Sequence, residues 1–87
     1  MTHPRLAVGA RLRYDEVREE HQLLVPEGVV RLNATAAEVL ELCDGERSVD
    51  DIVGAVAARY DGADVGDDVR GLVQAMAARG LVVDAAA

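Results

Sequence analysis

The side chains able to do chemistry are few in this sequence, and their spacing does not assemble a reaction centre. His3 and His21 are far apart, and neither has a cysteine or carboxylate at metal-ligand spacing. Cys43 is the single cysteine, so neither an internal disulfide nor a cysteine zinc cluster can form. It falls on the apolar stripe of a predicted helix, which marks it as a buried structural thiol. Carboxylates are plentiful, but Asp50, Asp51, Asp67 and Asp68 occupy the first turns of predicted helices, where the helix dipole accounts for acids. Asp15 to Glu20 reads as a charged turn. The glycines match neither a phosphate-binding loop nor a dinucleotide fingerprint. No catalytic residue, metal or cofactor is therefore expected, and the chain reads as a binding protein and not an enzyme.

Eighty-seven residues suffice for one domain, 1–87, with an ordered core over about 5–83. About half the chain is apolar, but phenylalanine and tryptophan are absent, so Val, Leu, Ile and Ala must build the core. Tyr14 and Tyr60 are the only aromatics, too few for a platform that stacks nucleic-acid bases. The net charge of −7 arises entirely after residue 33: residues 1–33 carry five Arg and five Asp or Glu, residues 34–87 four Arg and eleven Asp or Glu. Such a field repels phosphate backbones and anionic membranes and suits a partner that is basic where it docks. The Met1-Thr2-His3-Pro4-Arg5 start lacks the apolar run of a signal peptide, and no segment approaches a membrane span, so a cytoplasmic location is expected.

The elements that must position any binding surface change period at residue 33. Before it, Arg11-Leu12-Arg13-Tyr14, His21-Gln22-Leu23-Leu24-Val25 and Val29-Val30-Arg31-Leu32 read as strands. Val25-Pro26-Glu27-Gly28 joins the last two, with Pro and Gly at the second and fourth positions of a type I turn. After it, Asn33 or Thr35 caps a helix with Ala36, Val39, Leu40 and Cys43 inward, ended by Asp44-Gly45. Ser48 starts a second, with Ile52, Val53, Val56, Ala57 and Tyr60 as its stripe. A third begins near Asp64, turns Val65, Val69, Leu72, Val73 and Met76 inward, and stops at Gly80. Leu81-Val82-Val83 then closes on the core, and Asp84 to Ala87 is a frayed tail. Three short antiparallel strands followed by three helices is an α+β arrangement of winged-helix outline. Gly54 and Gly71 lie inside helices, where close packing is the ordinary reason for glycine; Gly71 is also a candidate for a surface kept small beneath a ligand.

Two binding modes fit that outline. A three-stranded sheet has open edges that accept an extended peptide as an added strand, or a second copy as a homodimer. A winged helix reads DNA with basic and amide side chains on its recognition helix. Here the second helix exposes Asp50, Asp51 and Arg59, and the third Asp67, Asp68, Arg70, Gln74 and Arg79. With the acidic charge, that makes DNA the poor alternative, and no nucleic-acid or membrane partner is expected.

The stretch Pro26-Glu27-Gly28-Val29-Val30-Arg31-Leu32-Asn33-Ala34-Thr35-Ala36 resembles the PqqD family. Val39-Leu40, Cys43-Asp44-Gly45, Ser48-Val49, Ile52-Val53, Asp68-Val69 and Arg79-Gly80-Leu81 continue the likeness, as do Pro4, Gly9 and Arg11-Leu12-Arg13. Each motif is weak alone; their order over some eighty residues is specific. The resemblance implies a peptide chaperone in pyrroloquinoline quinone biosynthesis. It would bind the ribosomally made precursor PqqA and present it to the radical SAM enzyme PqqE, which joins a Glu and a Tyr of the peptide. A related role for another ribosomal peptide pathway is the alternative. The resemblance also implies that the peptide adds beside the third strand and against the third helix. Carried onto this chain, it assigns Val29, Val30, Arg31 and Leu32 as the strand edge. Arg70, Val73, Gln74 and Ala77, which share a helical face, are the expected wall. Proline at Val30 is the expected block to strand addition. Asp50, Asp51, Asp67 and Asp68 are expected to steer the peptide or the enzyme.

Overall fold

The computed structural model describes residues 1–86. Its elements run β1 (Pro4–Leu6), β2 (Arg11–Asp15), β3 (Glu20–Val25), β4 (Gly28–Leu32), α1 (Ala34–Glu41), α2 (Val49–Arg59), α3 (Gly66–Ala78) and β5 (Val82–Asp84). The expected three strands and three helices are all present, and the α+β class stands. Two short strands are additional: β1 and β5 form a separate antiparallel ribbon, Arg5 opposite Val83.

The meander β2-β3-β4 owes its two faces to the strand period of two. Leu12, Leu23 and Val30 stand opposite one another, as do Tyr14, His21 and Leu32, and this face turns to α1. Leu23 is fully buried. His21 is therefore in the central strand, where its ring meets Tyr14 edge to face, with centroids 4.9 Å apart. The other face is polar. Gln22 is 5% exposed there and donates from Nε2 to Glu20 (2.8 Å) and Asp15 (3.4 Å), while Arg13 and Arg31 flank it at 3.8 Å from Asp15 and 3.7 Å from Glu20. The arginine stems cover the amide, and the carboxylates satisfy it.

The helices start where capping chemistry dictates. Asn33 accepts from Ala36 N (2.7 Å) at the head of α1. At α2, Ser48 accepts from Asp51 N and Asp51 accepts from Ser48 N, both at 3.0 Å, a reciprocal capping box. Tyr60, expected on the inward stripe of α2, instead lies just past its end, 41% exposed. Ile52 and Val56 of α2, Val39 and Leu40 of α1 and Val69 and Val73 of α3 close the core with Leu23 and Val82. Cys43 is buried within it, its Sγ 3.4 Å from the Val39 carbonyl. Burial, with a smaller push from Asp44, raises its thiol pKa to about 11, which keeps it inert.

Of the tail expected to fray, Asp84, Ala85 and Ala86 are tied down instead, and Ala87 lies outside the described residues. The Asp84 carboxylate accepts from Thr2 N (2.8 Å), His3 N (2.9 Å) and Ala86 N (3.1 Å), and Ala85 N donates to the His3 carbonyl (2.8 Å). Those backbone bonds, that of His3 first, pull the Asp84 pKa from 3.8 to about 2. Close packing does not account for Gly54 or Gly71: a Cβ at either would meet nothing within 4 Å.

Candidate functional site

The turn between β3 and β4 determines which backbone groups are free. Val25 pairs with Gly28, so only Pro26 and Glu27 lie in the loop. A two-residue hairpin closes on a pair that exchanges both hydrogen bonds. Alternation along an antiparallel ladder then makes Leu23 with Val30, and His21 with Leu32, the bonded pairs. The N–H and C=O groups of Val29 and Arg31 consequently point away from β3. β4 is an outer strand in the order β2-β3-β4, so these groups line an open edge. Val29 is 54% exposed, a large apolar side chain beside that edge. Of the four expected edge residues, Val29 and Arg31 offer their backbone, while Val30 packs against the core and Leu32 is buried in it. Proline at Val30 would therefore strike the β3–β4 hairpin itself; Arg31 is the position whose donor faces outward.

Where β4 ends, a groove of about 380 Å³ opens between the first turns of α1 and α3. Ala36, Val39, Val65, Val69 and Leu72 line its apolar part, and Asn33, Thr35 and Asp68 supply its polar atoms. On the α1 side the rim is already bonded. Tyr60 donates to Glu38 Oε2 (3.1 Å) and lies 3.3 Å from the Thr35 hydroxyl, which is left to donate to it, and Arg59 approaches Glu38 at 3.9 Å. Asn33 is committed to its cap.

The expected helical wall is elsewhere. Val73 is 2% exposed and belongs to the core. Arg70, Val73 and Gln74 together line a different hollow of about 390 Å³ with Met1, Thr2, Ser48, Val49 and Asp50. Arg70 is held there by Asp50, at 2.7 Å. Ala77, partly buried, shares that flank by helical position. The buried stripe of α3 runs through Gly66, Val69, Val73 and Met76, rotated from the expected one. Gly66 is the cause. It is buried against Arg70 and Val53, yet glycine carries no hydropathy signal that would place it on a stripe. With the stripe so rotated, Arg70, Gln74 and Ala77 flank it on one side and Val65, Asp68 and Leu72 on the other. The second flank faces the groove. Leu72 was visible in the sequence as a core residue and Asp68 as a dipole acid; the additional place of both at the groove was not.

Of the acids expected to steer a partner, Asp50 and Asp51 are engaged by Arg70 and Ser48. Asp67 and Asp68 remain exposed on α3. Among the described residues no three His, Cys, Asp or Glu converge as metal ligands, and no helix is long and apolar enough to cross a membrane.

Comparison with known proteins agrees with this architecture. Residues 20–82 match the family model described as coenzyme PQQ synthesis protein D (PqqD). A PqqA binding protein of Rhodopseudomonas palustris (strain TIE-1) is 41% identical over 86 residues, covering 97% of this chain and 84% of the relative. That of Methylococcus capsulatus is 35% identical over 72 residues, covering 83% and 77%. The solution structure of the PqqD part of Methylobacterium extorquens PqqCD, described as a stand-alone recognition element for ribosomally synthesised, modified peptides, superposes with a TM-score of 0.78 at 35% identity, over 92% of this chain and 87% of the other. The chain belongs to the PqqD family.

Proposed function

We propose that this protein binds the precursor peptide PqqA by strand addition at the open edge of β4, and presents it to the radical SAM enzyme PqqE. The observation that carries the reading is the alternation at β4: Val29 and Arg31 hold unpaired backbone donors and acceptors beside a partly apolar groove that begins where the strand ends. An extended peptide that pairs with this edge gains backbone hydrogen bonds and side-chain burial together. The relatives named as PqqA binding proteins supply the identity of the peptide. The PqqE step follows from the family resemblance. In it, one domain engaging both peptide and enzyme raises the effective concentration of the peptide core at the active site.

The contact surface is Val29 and Arg31 on the edge, with Val65, Asp68 and Leu72 in place of Arg70, Val73, Gln74 and Ala77 on the helix. The protein acts as a carrier and not as a catalyst. Titration with a PqqA peptide, followed amide by amide, tests this. Saturable binding should slow hydrogen exchange at Val29 and Arg31, whose N–H groups are open in the free protein. Val30 and Leu32, already bonded to β3, should change little. Peptide binding that leaves Val29 and Arg31 exchanging freely would overturn strand addition at β4. Absence of binding would overturn the peptide itself.

A further inference from the structure

The geometry points to Asp68 as a selectivity residue that reads one cationic side chain, Lys or Arg, of the bound peptide. This inference rests on the strand-addition reading above. Among the described residues, Asp68 is the only charged side chain lining the groove at the end of β4; its neighbours there are apolar or are polar groups already bonded within the domain. Its carboxylate is exposed, and among the described residues no Lys, Arg or His approaches it within ion-pair distance and no side-chain cap bond engages it. Arg70 and Arg59 are engaged elsewhere, Arg70 on Asp50 at 2.7 Å and Arg59 toward Glu38 at 3.9 Å.

The dipole of α3 explains why an acid is tolerated in this turn, and Asp67 satisfies that need equally well. What sets Asp68 apart is that it faces the groove. A strand lying along β4 and continuing into the groove would place alternate side chains over Val65, Val69 and Leu72. A neutral apolar residue beside Asp68 would desolvate the carboxylate with nothing in exchange. A Lys or Arg would bury its apolar stem on Leu72 and Val65 and bring its charge to the carboxylate. The same acid rejects peptides with Asp or Glu at that position, so it both attracts and excludes.

The test is a positional scan of a synthetic Rhodopseudomonas palustris PqqA peptide, each residue in turn replaced by lysine or by norleucine, which keeps the stem and lacks the charge. Affinities are measured for the wild-type domain, Asp68→Asn and Asp67→Asn. At one position lysine should bind about fourfold more tightly than norleucine, the range of a rim ion pair. Asp68→Asn should abolish that preference, and Asp67→Asn should keep it. Circular dichroism of both variants confirms that the fold is retained. A lysine preference at no position, or one that survives Asp68→Asn, with the parent peptide still bound, overturns the inference and leaves the peptide reading standing. Failure of the parent peptide to bind the wild-type domain overturns both.

Discussion

Proline placed at neighbouring positions of β4 should give opposite phenotypes. Val30 exchanges its hydrogen bonds with Leu23, which is fully buried, so Val30→Pro strands the Leu23 carbonyl away from water. Leaving a buried acceptor unpaired, in a strand whose ladder the proline also interrupts, costs about 3 kcal/mol. A domain of this size has total stability of roughly 4–13 kcal/mol. At about 4–8 °C per kcal/mol, the melting temperature should fall by roughly 12–24 °C. Arg31 points its N–H outward, and its guanidinium is 72% exposed and only 3.7 Å from Glu20 at closest. Arg31→Pro should therefore cost less than about 1 kcal/mol of stability. Its effect belongs to binding: it removes a donor worth about 1 kcal/mol and puts a ring in the path of the added strand, for a loss of about tenfold or more in peptide affinity. Arg31→Gln, which removes the charge and keeps the N–H, separates the two contributions. Thermal melts and calorimetric titration of the three variants decide the matter. Equal stability of the two proline variants would invert the assignment of bonded pairs. An affinity for Arg31→Pro within about twofold of Arg31→Gln would remove the added strand.

Gly71→Ala and Gly54→Ala should each stabilise the domain by about 1 kcal/mol, because a Cβ meets nothing at either site and glycine is costly within a helix; a parallel loss of peptide affinity only in Gly71→Ala would identify the bare surface there as a ligand contact. The β1–β5 ribbon should respond to acid through Asp84. Its carboxylate is stabilised in the folded state, so its contribution is fully present above its ordinary value of 3.8 and is lost as pH falls toward about 2. Amide exchange in β1 should speed up over that range, and Asp84→Asn should abolish the dependence; a midpoint at the ordinary value would remove the bonds to Thr2 and His3 as its cause. Cys43 should resist alkylation at pH 8 until the domain unfolds, its thiol being raised to about 11; rapid modification of native protein would contradict its burial.

The meander and three helices were readable because their signals are local. Alternation in Arg11 to Tyr14, a Pro-Glu loop, an Asn and a Ser ahead of apolar stripes each act over a few residues. The β1–β5 ribbon was not readable, since Pro4-Arg5-Leu6 gains strand geometry only from a partner at the far end of the chain. The strand β4 was legible as an element, and the bonding parity along it came only with the register. The helix residues expected from the sequence line the hollow beside Asp50, and the opposite flank of α3 lines the groove at the end of β4. Hydropathy finds a stripe from the residues that carry it, and buried Gly66 carries none, so the inferred stripe on α3 was displaced toward Leu72. A glycine next to a capping region can mark close helix approach, but that distinction is a matter of packing and not of composition.

The ribbon that joins β1 to β5 also shapes how the chain acquires its structure. Pro4 to Asp84 is a closure over nearly the whole polypeptide, whereas β2, β3 and β4 pair across short turns and α1 follows directly. Loop-closure entropy places such long-range pairing late in folding, after the meander and helices have brought the ends together. Although each of its strands has only three residues, the ribbon buries Pro4 and Val82 against the core, so it closes once that core exists to receive them. The β4 edge belongs to the other sheet. The meander that carries β4 can thus reach its register before the ends of the chain meet.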